Sequence, residues 1–334
     1  MTSRVFPLCD PRLSSCTGKR STMTLATQTH RSSGRDTDHR AATLTVLTTQ
    51  LPSQAATDRA CTLILTPLVA QARTWNSQRW YFSRRPAKGG ILLETRFSGA
   101  ADSGRRITSF LAALRQQSEE ELGLLPTEVS TRRHTSAGSS PDSGSEDSLQ
   151  LYRLGGEQGL NLAEELFELS SDLTLWAVSR FATAQTRRAL LALLMYDAAD
   201  AMMRGPRSAA WADRRRVSWD FFWDAHLDTT LGRIGRSGGH SNRSFHRQVS
   251  TLLHREHAVM RAAAAEQSVH NWRRKWLRGV DNYLYRADKA GVSRCAQQLT
   301  LHQIHEMAAR FGMDAQSESQ AGIQSRHWKA PQED

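Results

Sequence analysis

Arg79-Trp-Tyr-Phe-Ser-Arg84 and Ile91-Leu-Leu-Glu-Thr-Arg-Phe97, separated by Pro86 and the pair Gly89-Gly90, are the stretch from which the fold can be read. Two runs rich in aromatic and β-branched residues around a Pro/Gly turn predict an antiparallel hairpin. Alternation assigns its faces. Ile91, Leu93, Thr95 and Phe97 point to a core, while Leu92, Glu94 and Arg96 point away from it; in the partner strand Trp80, Phe82 and Arg84 share a face. Before the hairpin, Thr43-Leu-Thr-Val-Leu-Thr-Thr49 alternates as a strand, followed by a helix capped by Asp58 that runs through Pro67 to about Trp75. After it come a helix over 105–122 and a strand-like run, Leu149-Gln-Leu-Tyr-Arg-Leu154, expected to rejoin the sheet. Beyond Gly155-Gly156 the pattern is helical, over 160–181, 184–203, 218–231, 244–265, 271–285 and 299–311. An early, mostly antiparallel sheet covered by a late helical layer is an α+β fold.

The chain has 334 residues, enough to bury an ordinary core, so 41–315 is expected to be one domain. Residues 1–40, rich in Ser, Thr and Arg without periodicity, are expected to be disordered, as is the tail 316–334; the Ser/Thr-rich stretch 127–148 is expected to be a flexible loop. No apolar run approaches the roughly 18 residues a membrane span needs. Four cysteines, at 9, 16, 61 and 295, have no CxxC pair, which argues against a disulfide scaffold and for a reducing cytoplasm. Lys and Arg total 44 against 33 Asp and Glu, a formal charge of +11 that implies an anionic partner: nucleic acid, acidic peptide or phosphate.

Each of three candidate strands carries an arginine, Arg84, Arg96 and Arg153, toward a sheet surface, either as a solvated face or as a pocket for a carboxylate. His305, in His302-Gln-Ile-His305-Glu-Met-Ala-Ala-Arg310, borders the apolar arc of its helix and is either a structural histidine or an acid/base group. The His302/His305 spacing lacks the i, i+4 geometry of HExxH, and no cysteine or carboxylate cluster completes a ligand set, so no metal is expected. No P-loop or GxGxxG motif is present, and Gly232 to Gly239, with four glycines, Arg233, Arg236 and no preceding strand, reads as a loop and not as a GxSxG elbow.

The order of these pieces resembles the C-terminal elimination domain of lantibiotic dehydratases and the related thiopeptide pyridine synthases. The resemblance rests on the hairpin, on Tyr152-Arg-Leu-Gly-Gly156 with Leu162-Ala-Glu-Glu-Leu-Phe167, and on His305 with Arg310-Phe-Gly312, and covers roughly 43–315. It implies removal of glutamate from glutamylated Ser or Thr, with Arg96, Arg153 and His305 at the family's functional positions. Glu94, however, stands where the family has an arginine. The pyridine synthase branch instead joins two dehydroalanines of a precursor peptide by a formal [4+2] cycloaddition, losing water and the leader peptide, without a cofactor. The resemblance then implies an acid/base pair of Glu94 and His305 and a hydroxyl donor such as Tyr285. Arg84, Tyr81 and Arg310 would contact the substrate. The expected partners are a precursor peptide with an acidic leader and other biosynthetic enzymes, rather than nucleic acid or membrane, and a homodimer is compatible with this. The alternatives are glutamate elimination and a noncatalytic peptide- or nucleic-acid-binding module.

Overall fold

A computed structural model describes residues 43–122, 127–133, 146–235, 253 and 255–329, all within the unit Arg40–Asp334. The expectation for 1–40 therefore falls outside the described residues. β1 (Thr43–Leu51), β2 (Arg79–Ala87) and β3 (Gly90–Gly99) form where the alternation predicts them. β2 and β3 make the hairpin in a register that places Trp80 opposite Phe97 and Tyr81 opposite Arg96, and β1 pairs antiparallel with the other side of β3.

The fourth strand is not the expected one. β4 (Thr127–Arg133) pairs antiparallel with β1, giving the order β2-β3-β1-β4. It lies inside the stretch expected to be a flexible loop, where Thr127, Val129 and Thr131 supply a β-branched alternation that the surrounding serines and threonines conceal. Leu149–Leu154, expected as a strand, instead belongs to helix α5 (Glu146–Leu154). The glycines after it end a helix: Gly156 N–H bonds to the Leu151 carbonyl at 2.8 Å, and Gly155 and Gly156 take φ of 80° and 100°. This is the six-to-one bond of a Schellman motif.

One sheet face, with Leu47, Trp80, Phe82, Leu93 and Phe97, is buried against α1 (Gln54–Ala60), a π-helical turn (Cys61–Leu65), α2 (Thr66–Thr74) and α3 (Ala101–Gln117). The short α4 (Glu119–Leu122) follows α3. Asp58 does not cap the first helix. Ser53 does, its hydroxyl accepting from Ala56 N–H at 3.2 Å, and Asp58 is released to bind arginines. Pro67, which cannot donate to the helix ladder, sits in the first turn of α2, just after the π turn.

The helical layer comprises α6 (Glu157–Arg180), α7 (Ala184–Arg204), α8 (Ala212–Arg216), α9 (Trp219–Gly235), α10 (255–264), α11 (Gln267–Lys289), α12 (Ala296–Arg310) and α13 (Ala315–Arg326). α7, rich in Leu and Ala on every side, is the hub against which α11, α12 and α13 pack. Its terminal carbonyls at Ala201 and Met202 accept from buried Arg214 at 2.6 and 2.8 Å, and Asp281 balances that guanidinium at 2.6 Å. α13 overturns the expectation of a disordered tail from 316: Asp314 caps it at 2.7 Å from Ser317 N–H, and it packs on α9 and α7. Its small residues, Ser319, Ala321, Gly322 and Ser325, are fully buried, so packing by close approach replaces the apolar stripe that a sequence reading looks for. The layer meets the sheet at β2, whose Phe82 N–H donates to Ser171 Oγ (3.1 Å) and whose Phe82 carbonyl accepts from Arg310 Nε (2.7 Å). Among the described residues no helix is long and apolar enough to cross a membrane.

Candidate active site

α12 determines the site. Its residues 302, 305, 306 and 309 recur at helical spacing and line a cavity of about 460 Å³. Tyr152 and Arg153 of α5, Thr229 and Arg233 of α9, and Arg294, Gln298 and Leu301 complete its wall. A second cavity, of about 730 Å³, adjoins the first by sharing Arg233 and Ala309. Its wall includes Arg84, Arg85, Arg187, Phe311 and the N-terminal turn of α13 with Glu318.

Electrostatics separate the ionisable groups of α12. His302 is buried against Phe167, with ring centroids 6.3 Å apart, and burial pushes its pKa down to about 4, so it is neutral near pH 7. Glu306, one turn on, behaves oppositely. Burial acts to raise its pKa, but Arg310, with Nη2 at 3.4 Å, outweighs that together with His302, Arg85 and Arg153 and holds it below the usual carboxylate range. Arg310 is itself fully buried, stacked over Phe167 at 4.6 Å.

The carboxylate at His305 is Glu318, reached from α13. Glu318 Oε1 contacts His305 Nδ1, and its Oε2 accepts from Arg233 Nη2. His226 of α9 stacks on the other side, its ring 5.3 Å from that of His305 and tilted by 15°, with Nε2 at 3.6 Å from Glu318 Oε1. Burial opposes ionisation of Glu318, yet the two imidazoles, His305 first, hold its pKa far below the ordinary value. Burial also pushes His226 down. Among the described residues, His226, His305 and Glu318 are the set whose ligand atoms converge, within 4.8 Å, as a cation site requires. Arg233 already holds one Glu318 oxygen and lies 3.5 Å from His305 Nδ1, so a cation would have to displace a guanidinium. The chemistry this set supports directly is proton handling.

Of the residues singled out from sequence, Arg153 and His305 line the first cavity and Arg310 braces it through Glu306. Arg153 reaches it from a helix, not from a sheet strand. Glu94 accepts from Arg96 Nε at 2.7 Å on the sheet; the expected Glu94–His305 pair is replaced by Glu318–His305. Tyr81 is buried against Phe167, its hydroxyl donating to Glu164 at 3.3 Å, and burial raises its pKa. Arg84 lies on the α1 side, bonded to Asp58 at 2.7 Å and Cys61 Sγ at 3.1 Å, and borders only the second cavity. Tyr285 lies beneath Arg207 and Lys289 on α11 and lines neither cavity. Sequence reasoning missed His226, Arg233, Glu306 and Glu318; only Glu306, four residues after His302, carried a local signal.

A four-stranded antiparallel sheet with a histidine-bearing helix braced across its edge strand defines the class of domain. The structure resembles the tRNA dependent lantibiotic dehydratase MibB from Microbispora sp. 107891 (TM-score 0.54, 17% identity), covering 89% of this chain but only 28% of that one. It also resembles TsrL (TM-score 0.54, 13% identity, 85% of this chain and 94% of that) and TbtD, the pyridine synthase from thiomuracin biosynthesis (TM-score 0.51, 15% identity, 85% and 96%). At these identities the likeness is one of fold. The model of the lantibiotic biosynthesis dehydratase C-terminal family matches residues 49–322, and the chain belongs to that family. Comparison with curated proteins gives no match.

Proposed function

We propose that this protein matures ribosomally made peptides, and that it acts as a pyridine synthase, closing a six-membered nitrogen heterocycle from two dehydroalanines with loss of water and leader peptide. Family membership and the fold shared with TbtD support peptide maturation. The observation that carries the finer reading is the bond from Arg96 Nε to Glu94. An elimination site needs cationic groups for the departing glutamate, and here a carboxylate occupies a family arginine position and takes up its neighbour's charge. Ring closure needs two alkenes held together, an amide drawn into its imidic tautomer, and proton transfers that aromatise the product. Confinement in the cavity supplies the first, on the order of several kcal/mol of the barrier. Arg153 and Arg294 on its wall would donate to amide oxygens as charge develops there. His305 is the group for proton transfer, and neutral His302 beside it adds no competing charge. No metal or nucleotide enters this scheme.

The second reading is glutamate elimination, favoured by the three arginines, Arg153, Arg233 and Arg294, that line the same cavity. One assay decides between them. Purified protein is incubated in parallel with a dehydrated linear precursor and with a glutamylated one, and products are read by mass spectrometry. A new heterocycle with release of the leader supports the synthase. An unchanged dehydrated peptide beside a deglutamylated one establishes elimination instead. Substituting His305→Ala is expected to slow the productive reaction by on the order of 10²–10⁴; full retention would remove His305 from the chemistry, and no turnover of either peptide by the unaltered protein would leave a noncatalytic binding module.

A further inference from the structure

Glu318 belongs to a segment without motif character, on a different helix from His305, yet the two side chains are in direct contact through Oε1 and Nδ1. The carboxylate is almost wholly buried, at 2% side-chain exposure, whereas His305 retains 18% and lines the 460 Å³ cavity. With Nδ1 taken by Glu318, Nε2 is the nitrogen left for a molecule in that cavity. The other Glu318 oxygen is held by Arg233, so the carboxylate is anchored at both ends. Behind the ring, fully buried His226 stacks on His305 at 5.3 Å, with its Nε2 3.6 Å from Glu318 Oε1. Gly322 makes room for it: a Cβ there would lie 2.5 Å from His226 Cε1.

We infer that Glu318 is the positioning residue of His305: it accepts the Nδ1 proton, fixes the tautomer that leaves the Nε2 lone pair toward the cavity, and balances the imidazolium formed when Nε2 takes a proton from the substrate. Proton balance is closed within the pair. Nε2 removes one proton from a peptide amide or ring carbon and returns it to the departing hydroxyl or amide nitrogen, while Glu318 stays ionised throughout. The catalytic half of this assignment rests on the enzymatic reading proposed above; the tautomer half does not.

The two halves are tested separately. In the unaltered protein labelled with ¹⁵N-histidine, long-range ¹H–¹⁵N correlation spectra are expected to show His305 protonated at Nδ1, and Glu318→Gln is expected to move that proton to Nε2. An Nε2-protonated His305 in the unaltered protein overturns the inference, whether or not any peptide is turned over. With a peptide that is turned over, Glu318→Gln is expected to lower kcat on the order of 10²-fold or more at nearly unchanged KM. The double variant Glu318→Gln/His305→Ala is expected to be no slower than His305→Ala alone, because the pair acts as a unit. Additive losses overturn it. So would Co(II) titration giving visible d–d bands that vanish in both His226→Ala and Glu318→Gln, since the cluster would then be a metal centre.

Discussion

His302 shows how burial alone turns a polar residue into a pH liability. In the unfolded chain it titrates near 6.5, but in the fold only near 4, so between those values the unfolded state binds the additional proton. Stability is therefore lost as pH falls from about 6.5 to about 4, at roughly 1.4 kcal/mol per pH unit and up to about 3 kcal/mol in all. Glu318, whose pKa is lowered, acts in the same direction further into acid, its contribution fading as pH falls below the ordinary carboxylate value. Urea midpoints measured across pH 7 to 4 are expected to flatten in His302→Leu, whose side chain leaves no Nε2 without a partner. An unchanged slope would place the proton uptake elsewhere. At this scale the sequence was partly readable. His305 and Arg153 were visible as chemistry-bearing residues in recognisable surroundings. Glu318 was not, because nothing in a Ser/Gln/Ala-rich segment announces that a carboxylate will be folded beneath a histidine thirteen residues earlier.

At the scale of elements, the corner between α5 and α6 places Arg153 in the cavity wall, and Gly159 sets how tightly the corner closes. A Cβ there would lie 1.8 Å from the Leu154 carbonyl oxygen and 2.8 Å from its carbon, both backbone atoms. Gly159→Ala is expected to destabilise the protein by about 1–3 kcal/mol, read as a lowered thermal midpoint. Gly232→Ala, where a Cβ meets nothing within 4 Å inside α9, is expected to gain up to about 1 kcal/mol from helix propensity. The same corner explains the sequence error over 149–154. Leu149 and Leu151 alternate like a strand across a run only six residues long. Period 2 and period 3.6 are not separable over that length, and the helix stop at Gly155-Gly156 was the stronger cue. The hairpin and the long helices were legible because aromatic alternation and Leu/Ala density persist over many residues.

For the whole molecule, the +11 charge is distributed across a surface that already spends many arginines internally, on Asp58, Asp197 and Asp281 among others. The buried Arg214–Asp281 pair ties α8 to α11 beneath the end of α7. Asp281→Ala is expected to cost about 3–5 kcal/mol by leaving a buried guanidinium without its counter-charge. Denaturant titration measures it. Under the proposed function, the arginines left on the surface would make binding of an acidic leader peptide dependent on screening. Its dissociation constant, followed by fluorescence anisotropy, is expected to rise steadily as salt increases from 0.05 to 0.5 M, where the Debye length falls to a few ångström. A flat profile would locate recognition in apolar contacts.

Phe82 has both main-chain groups consumed by side chains of the helical layer, Ser171 on one and Arg310 on the other. At this point the margin of the sheet beside α12 offers no free main-chain group to an incoming extended chain. The opposite margin of the sheet is β4. A peptide that docked by extending the sheet at β4 would be gripped three strands away from β2, the strand that meets the helix bearing His305. The grip and the reaction would then engage separate stretches of one peptide, so its length between those two stretches would help decide what can be processed.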